Sequence, residues 1–174
     1  MTVPTEIVAA HADAVWRTAF RLLNNREDAL DCYQQTFLDA LRLDGNAVRS
    51  WRSALCCIAT RRAMDQLRRR YRDQHVRTRA DIESPTDEPP DQRAIDEELR
   101  QQVRQALTTL PPKQAEAFWL RHIEQLSPSE VAEQMAIQPG NVRVLVHRAA
   151  EQLRPLLSGS YTSGSLMESQ NEHQ

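Results

Sequence analysis

The chain has 174 residues and a formal net charge of −2, and 40% of its residues are hydrophobic while 5% are aromatic. This length allows one domain or two small ones, and the composition suffices for compact helical cores. Only 4 glycines occur and no stretch alternates apolar with polar residues, so we predict an all-α fold. The sequence has neither an apolar run of about 18 residues nor a secretory signal, which argues against membrane insertion and export and favours a cytoplasmic protein with no membrane partner.

The first predicted helix ends at Asn24 and Asn25, which are good turn and cap residues. Its apolar residues recur at helical spacing and form one stripe: Val8, Ala12, Val15, Trp16, Ala19, Phe20 and Leu23. The regular spacing predicts a helix of ordinary length with one buried face.

A second helix is predicted from about Arg26 to Leu43. The residues expected to point inward are Leu30, Tyr33, Phe37, Ala40 and Leu41. The acidic and amide residues on or near the outer face are Asp28, Asp31, Gln34, Gln35 and Asp39. Such a face is typical of a solvated or partner-binding surface rather than of paired catalytic carboxylates.

A third helix is predicted from Val48 to about Arg72, and its end is strongly basic. The residues expected to be buried are Trp51, Leu55, Ile58, Ala59, Ala63 and Leu67. The polar residues that could contact a phosphate backbone or base edges, or hold an opened strand, are Arg61, Arg62, Gln66, Arg68, Arg69, Arg70 and Arg72. The alternative is a solvated helix end that the helix dipole stabilises. These three helices are predicted to form a first domain, residues 1–73.

A flexible acidic linker is predicted at residues 74–93. Apolar periodicity disappears there, and the segment SPTDEPPD contributes three prolines. Residues 61–79 contain eight arginines and two acids, whereas residues 81–98 contain eight acids and one arginine. The acids could therefore lie against the basic arm, although a solvated tether is the simpler interpretation.

The second predicted domain covers residues 94–157 and ends in a helix-turn-helix. One helix runs from about Ala94 to Leu110, and another restarts near Ala115. The rest reads LSPSEVAEQMAIQPGNVRVLVHRAAEQL, in which Ser127, Pro128 and Glu130 form a capping-box start. Residues 158–174 are rich in Ser, Gly and polar residues without periodicity and are predicted to be a disordered tail.

The last helix of this segment has a buried stripe and an opposite, exposed face. The stripe consists of Val142, Val146, Ala149 and Leu153, and the exposed face of Arg143, Val144, His147, Arg148 and Glu151. Two short helices with a tight break suit entry into a DNA major groove, so the exposed residues are candidate base and phosphate readers. An ordinary helical hairpin is the alternative.

Other chemistry has little support in the sequence. The five histidines are scattered without metal-ligand spacing, and there is no phosphate-binding glycine loop or nucleophile elbow, so we expect no metal, no cofactor and no catalytic residue. The cysteines are Cys32, Cys56 and Cys57, and buried reduced thiols are a better interpretation than a redox switch.

Four segments in this order resemble the extracytoplasmic-function sigma factors of the sigma-seventy family, over about Val8 to Leu157. They are RLLNNREDALDCYQQTFLDAL, IATRRAMDQLRRR, ALTTLPPKQAEAFWLRHIEQLSPSEVAEQM and AIQPGNVRVLVHRAAEQLRPLL. The resemblance implies a subunit that binds core RNA polymerase and promoter DNA and directs transcription initiation. An anti-sigma factor is a further partner that it leaves open.

The resemblance also implies roles for individual residues. Those expected to dock the clamp coiled coil of the largest polymerase subunit are Asp28, Asp31, Gln34, Gln35, Phe37 and Leu38. Those expected to contact the minus-ten region are Arg61, Arg62, Gln66, Arg69 and Arg70. Those expected to read the minus-thirty-five element are Asn141, Arg143, Val144, His147, Arg148 and Lys113.

Three departures from the family pattern stand out. Gln35 occupies a position that is commonly Glu, and Trp51 lies farther from Ile58 than the family tryptophan does. Val144 and Leu145 are apolar where the family has polar or basic residues, which predicts an altered promoter preference, because an apolar side chain can contact the thymine methyl group. Weak DNA binding and a protein partner are the alternatives. Two other functions stay open: a stand-alone helix-turn-helix regulator, and a sigma mimic that titrates an anti-sigma factor.

Overall fold

The structure, a computed structural model, describes residues 5–77 and 92–161. These residues form seven α-helices and no strand: α1 (Thr5–Leu23), α2 (Arg26–Ala40), α3 (Trp51–Arg77), α4 (Gln92–Thr109), α5 (Pro112–His122), α6 (Pro128–Met135) and α7 (Pro139–Tyr161). The predicted all-α fold is confirmed. None of the described helices is both long and apolar enough to cross a membrane.

Two predicted boundaries are corrected by the helix ends. The linker was expected from residue 74, but α3 continues to Arg77, and α4 begins at Gln92. The disordered tail was expected from residue 158, but α7 continues through Pro155 to Tyr161. Pro155 has no backbone N–H, so the helix lacks one hydrogen bond at this position. Packing of Leu153 and the partly buried Leu157 into the apolar core offsets this cost. Residues 78–91 and 162–174 of the predicted linker and tail lie outside the described residues.

The inward face of α2 differs from the predicted one. Its buried residues are Ala29, Cys32, Thr36 and Ala40, and α2 lies with them against α1 and α3. Leu30 and Leu41, predicted to point inward, are exposed, as is Phe20 of α1. Small side chains allow α2 to approach two helices at once, so the larger leucines remain outside.

The start of α6 is fixed by a capping box. The side chain of Ser127 accepts a hydrogen bond from the backbone N–H of Glu130 at 3.2 Å, and the Glu130 carboxylate accepts one from the backbone N–H of Ser127 at 2.8 Å. The helix ends at Ala136, which adopts the left-handed conformation with a φ of 52°. This tight end, followed by Pro139 at the start of α7, produces the break of the predicted helix-turn-helix.

We expect Glu130→Gln to lower the free energy of unfolding by about 0.5–1 kcal/mol near neutral pH, the usual scale for a helix cap. The hydrogen bond from the Ser127 backbone holds the pKa of Glu130 below its ordinary 4.5. A carboxyl group whose pKa is lowered by folding stabilises the fold at pH values above its pKa in the unfolded chain. This contribution is lost as the pH falls through its pKa in the folded protein. Urea unfolding between pH 3 and 7 should therefore show the variant and the parent converging in acid; a constant difference would contradict the assignment.

The helices form two units that share their apolar cores. The first unit is α1–α3 and the second unit is α4–α7. One buried cluster includes Leu22 and Leu67 of the first unit together with Leu107 and Trp119 of the second. In another, Cys57 of α3 lies among residues of α5, α6 and α7. The predicted division of the chain into two helical groups therefore comes with extensive packing between them.

Candidate protein and nucleic-acid interfaces

One side of α2 is exposed and combines apolar with acidic residues. We call it the α2 stripe; it consists of Glu27, Leu30, Asp31, Gln34, Leu38 and Leu41. Residues at these three- and four-residue spacings share one face of a helix. Leu30 is 47% exposed and Leu38 is 52% exposed. A helix face with several exposed leucines beside carboxylates is suited to binding another protein.

The predicted docking residues do not all reach this surface. Asp31, Gln34 and Leu38 lie on the α2 stripe, whereas Gln35 and Phe37 are half-buried. The ring of Phe37 packs edge-on against Tyr33 with the centroids 5.0 Å apart. Asp28 forms an ion pair with Arg70 of α3. Phe37 and Asp28 therefore position α2 within the first unit.

A polar cleft of about 240 Å³ separates α2 from α3. It brings together residues from two predicted sites: Asp31, Gln35, Arg62, Gln66 and Arg69. Carboxylate, amide and guanidinium groups in one cleft offer both donors and acceptors, which suits the polar edge of a base. The cleft connects the predicted minus-ten surface with the α2 stripe.

Three of the predicted minus-ten arginines form ion pairs within the protein. Arg62 lies 2.5 Å from Asp39, and this hydrogen bond lowers the pKa of that carboxyl. Arg70 pairs with Asp28 and donates to the backbone carbonyl of Leu23 at 2.7 Å. In contrast, Arg69 is exposed, and no ion pair in the described part of the chain involves it.

The third paired arginine links the two units. Arg61 of α3 donates to Glu116 of α5 at 2.5 Å and to the backbone carbonyl of Gln134 of α6 at 2.8 Å. Cys57 donates to the same Glu116 carboxylate at 3.2 Å. Sequence reasoning did not identify Glu116, although an acidic residue between two buried alanines indicates a buried partner for a cation.

Further polar contacts join α3 and the loop before it to the second unit. The Ser53 hydroxyl donates to Glu130 at 2.8 Å, and Arg52 donates to the backbone carbonyl of Glu124 at 3.1 Å. Arg49 lies 3.8 Å from Glu133. The basic helix α3 thus faces α5 and α6 of the second unit through a series of polar contacts.

The outer face of α7 carries the predicted minus-thirty-five residues. Asn141, Arg143, Val144, His147 and Arg148 are all exposed. Val144 is 46% exposed, which is sufficient for contact with a partner, and His147 lies 3.4 Å from Glu151. Among the described residues, no ion pair involves Arg143 or Arg148. These side chains are available to a ligand on the outer face of α7.

Lys113 occupies the first turn of α5, and it is exposed as well. Val142 and Ala149, on the opposite side of α7, are fully buried. The structure therefore brings the five α7 side chains onto one surface, with Lys113 supplied by a different helix. No cluster of three or more metal-ligating side chains occurs among the residues described.

All three cysteines are buried and reduced, as predicted. Burial raises the pKa of Cys32 to about 11 and that of Cys56 to about 11, and it raises the pKa of Cys57 further in the same direction. Since the thiolate is the reactive form, we expect all three to react slowly with a thiol reagent at pH 8 and quickly after denaturation in guanidinium. Mass spectrometry measures the extent of labelling over time. Fast labelling of the native protein would contradict this expectation.

Comparison with known proteins gives two family matches in sequence order. Residues 7–73 match sigma-70 region 2, and residues 100–153 match sigma-70 region 4. The sigma factor SigE of Mycolicibacterium smegmatis, described as an extracytoplasmic-function RNA polymerase sigma factor, is 35% identical over 159 residues. That match covers 88% of this chain but 61% of SigE, so the chain spans less than two thirds of that relative.

Two other proteins match this chain over most of their own length. The RNA polymerase sigma factor CarQ of Myxococcus xanthus is 33% identical over 154 residues, which cover 87% of each protein. The solved structure of the sigma factor RpoE from Bartonella quintana, in complex with the anti-sigma factor NepR, has a TM-score of 0.56 and 23% identity. It covers 88% of this chain and 96% of RpoE, and it supports the fold.

Proposed function

Because the chain belongs to the extracytoplasmic-function sigma factors of the sigma-70 family, we propose that it binds core RNA polymerase and directs promoter recognition and transcription initiation. The observation that carries this proposal is the presence of regions 2 and 4, in order, on one chain. In this role the protein catalyses nothing, since RNA synthesis belongs to the polymerase. An anti-sigma factor is a second proposed partner, by analogy with the RpoE complex.

The α2 stripe is the proposed polymerase-docking surface. Its exposed leucines supply apolar area, and Asp31 with Glu27 gives it an acidic edge. A partner surface of basic residues around an apolar groove is complementary to this arrangement. The clamp coiled coil of the largest subunit is the proposed site of contact.

The outer face of α7 is the proposed reader of the minus-thirty-five element. The major groove of B-DNA admits an α-helix, and arginine is suited to guanine edges and to phosphates. Arg143 and Arg148 are exposed for such contacts, and Val144 is placed to meet a thymine methyl group. Lys113 would contact the adjacent backbone, because α5 lies against α7.

Minus-ten binding is proposed for the polar cleft and the exposed Arg69. Elements about 25 base pairs apart are separated by roughly 85 Å along B-DNA, at about 3.4 Å per base pair. Units joined by a 2.5 Å contact between Arg61 and Glu116 cannot bridge that distance. Promoter engagement therefore requires the first and second units to separate, which frees Arg61 for the opened strand.

Transcription in vitro from a genomic promoter library tests the proposal. Core polymerase plus this protein should initiate at a specific set of promoters, and core alone should not. Lack of core binding at micromolar concentration would reject the proposal. Gel shifts with and without core distinguish the two alternatives: a stand-alone regulator binds the duplex tightly without core, whereas a sigma mimic binds an anti-sigma factor and no promoter.

We expect Arg143→Ala and Arg148→Ala each to weaken promoter binding by the holoenzyme by about 1–3 kcal/mol, roughly 5- to 150-fold. Each change removes donors and a charge from an exposed face without creating a cavity. Core binding should be unchanged, because the α2 stripe is on the other unit.

Arg17→Ala is the matched control, since Arg17 is an exposed arginine of α1 that loses the same charge. Fluorescence anisotropy with a labelled promoter and native electrophoresis with core measure the two affinities. Equal losses of core affinity in all three variants would refute the division of function between the units.

A further inference from the structure

Two arginines at the end of α3 have no part in the proposed promoter contacts. Arg68 and Arg72 lie seven and eleven residues after Arg61, so all three share one side of the helix. The contact of Arg61 with Glu116 shows that this side faces the second unit. The two arginines therefore point towards α4 and α5 rather than towards the polar cleft beside α2.

A cavity of about 440 Å³ lies there, between α3 and the end of α4. The polar residues that line it are Asp65, Arg68, Arg69, Arg72, Thr108 and Thr109, and Tyr71 also contributes to the wall. This volume is in the range of small-molecule sites.

Arg68 is the least exposed arginine of this cavity and is incompletely paired. Its side chain is only 18% exposed, and its Nη1 lies 3.6 Å from an oxygen of Asp65. Its Nη2 is buried and has no hydrogen-bond partner among the described residues. Buried donors normally have partners, so Arg68 has unused donor capacity, and a turn of its guanidinium group would bring Nη2 to an acceptor in the cavity.

The charges around the cavity favour an anion. Three guanidinium groups face one carboxylate, that of Asp65, and Arg69 and Arg72 are exposed. Guanidinium groups bind phosphate through paired, charge-assisted hydrogen bonds. Three positive charges against one negative leave an excess that a phosphate dianion would balance.

The α4 side of the cavity offers acceptors. The Thr108 hydroxyl donates to the carbonyl of Gln105 at 2.6 Å, and the Thr109 hydroxyl donates to that of Ala106 at 2.8 Å. Each hydroxyl proton is therefore used in a hydrogen bond within α4, and the oxygen lone pairs can accept a hydrogen bond from a ligand. This wall also lies at the carboxyl end of α4, where the helix dipole disfavours an anion, so the phosphate belongs on the α3 side of the cavity.

We infer that the cavity binds a phosphate-bearing small molecule of about the size of a mononucleotide. The phosphate lies on Arg68, Arg69 and Arg72, and hydroxyl or amino groups of the ligand donate to Thr108 and Thr109. Because the walls belong to α3 and α4, the ligand joins the two units and favours the closed arrangement. This inference goes beyond the proposed function, since binding requires neither polymerase nor promoter.

Isothermal titration calorimetry of the full chain with adenosine monophosphate, inorganic phosphate and a single-stranded oligonucleotide tests the inference. Adenosine monophosphate should bind, and inorganic phosphate should bind more weakly at the same site. Arg68→Gln and Arg72→Gln should each weaken adenosine monophosphate binding about tenfold or more, as expected for the loss of a charged hydrogen bond. Asp65→Asn should tighten binding, a result that poor folding cannot produce.

Arg17→Gln is the control, because Arg17 is an exposed arginine on α1 and outside the cavity. An equal loss of adenosine monophosphate affinity in this control would mean that the effect depends only on the net charge of the protein, and it would overturn the inference. Binding of the oligonucleotide alone would also overturn it, since the arginines would then extend the minus-ten surface. Neither result affects the transcription assay, so failure here is distinct from failure of the proposed function.

Discussion

Asp31→Arg is expected to weaken binding to core RNA polymerase by about 3 kcal/mol, roughly a hundredfold. Asp31 is exposed at the centre of the α2 stripe, between Leu30 and Gln34. Reversing its charge opposite a basic partner replaces an attraction by a repulsion, and like charges brought together at an interface cost several kcal/mol. The outer face of α7, on the second unit, is unchanged by this substitution.

Two companion variants make this prediction specific. Leu38→Asp alters the apolar part of the same stripe and should weaken core binding in the same direction. Asp13→Arg makes an identical charge change at an exposed position of α1 and should have little effect. Surface plasmon resonance with immobilised core measures all three. Full affinity of both α2 variants, with normal circular dichroism, would exclude the α2 stripe as the docking surface.

The α2 helix shows what sequence periodicity can and cannot determine. Its start was predictable because Asn25 is a strong cap, and its side chain does accept the backbone N–H of Asp28 at 3.0 Å. Its buried face was not predictable, because an analysis of periodicity assigns the large apolar residues to the buried side. The face that packs on α1 and α3 uses alanine, cysteine and threonine instead. That choice depends on the close approach of three helices, which no local pattern records.

The basic helix gives a second example. Sequence reasoning placed Arg61, Arg62 and Arg70 on a nucleic-acid surface from their charge and from the family resemblance. Their partners Glu116, Asp39 and Asp28 lie 55, 23 and 42 residues away along the chain. The side chains that neutralise a cation can come from any part of the fold, so local sequence predicts the charge of α3 but not which charges are available. The capping box of α6, in contrast, involves residues three apart and was predictable in full.

The shared core between the units also lay beyond sequence reasoning, and it leads to a prediction about cooperativity. Leu67 of α3 is 1% exposed in a cluster that contains Leu107 and Trp119 of the second unit. Leu67→Ala should lower the free energy of unfolding by about 2–5 kcal/mol, through lost burial and a residual cavity. Because the cluster contains residues of both units, the substitution should lower the stability of both.

Tryptophan fluorescence can separate the units, since Trp16 and Trp51 lie in the first and Trp119 lies in the second. Single-tryptophan versions of the protein, with phenylalanine at the other two positions, report each unit during urea unfolding. Both reporters should show one transition, shifted equally by Leu67→Ala, while Leu156→Ala at an exposed position of α7 shifts neither. A shift confined to the Trp16 reporter would mean that the first unit unfolds independently. The units would then separate at little cost, and closure would not oppose promoter binding.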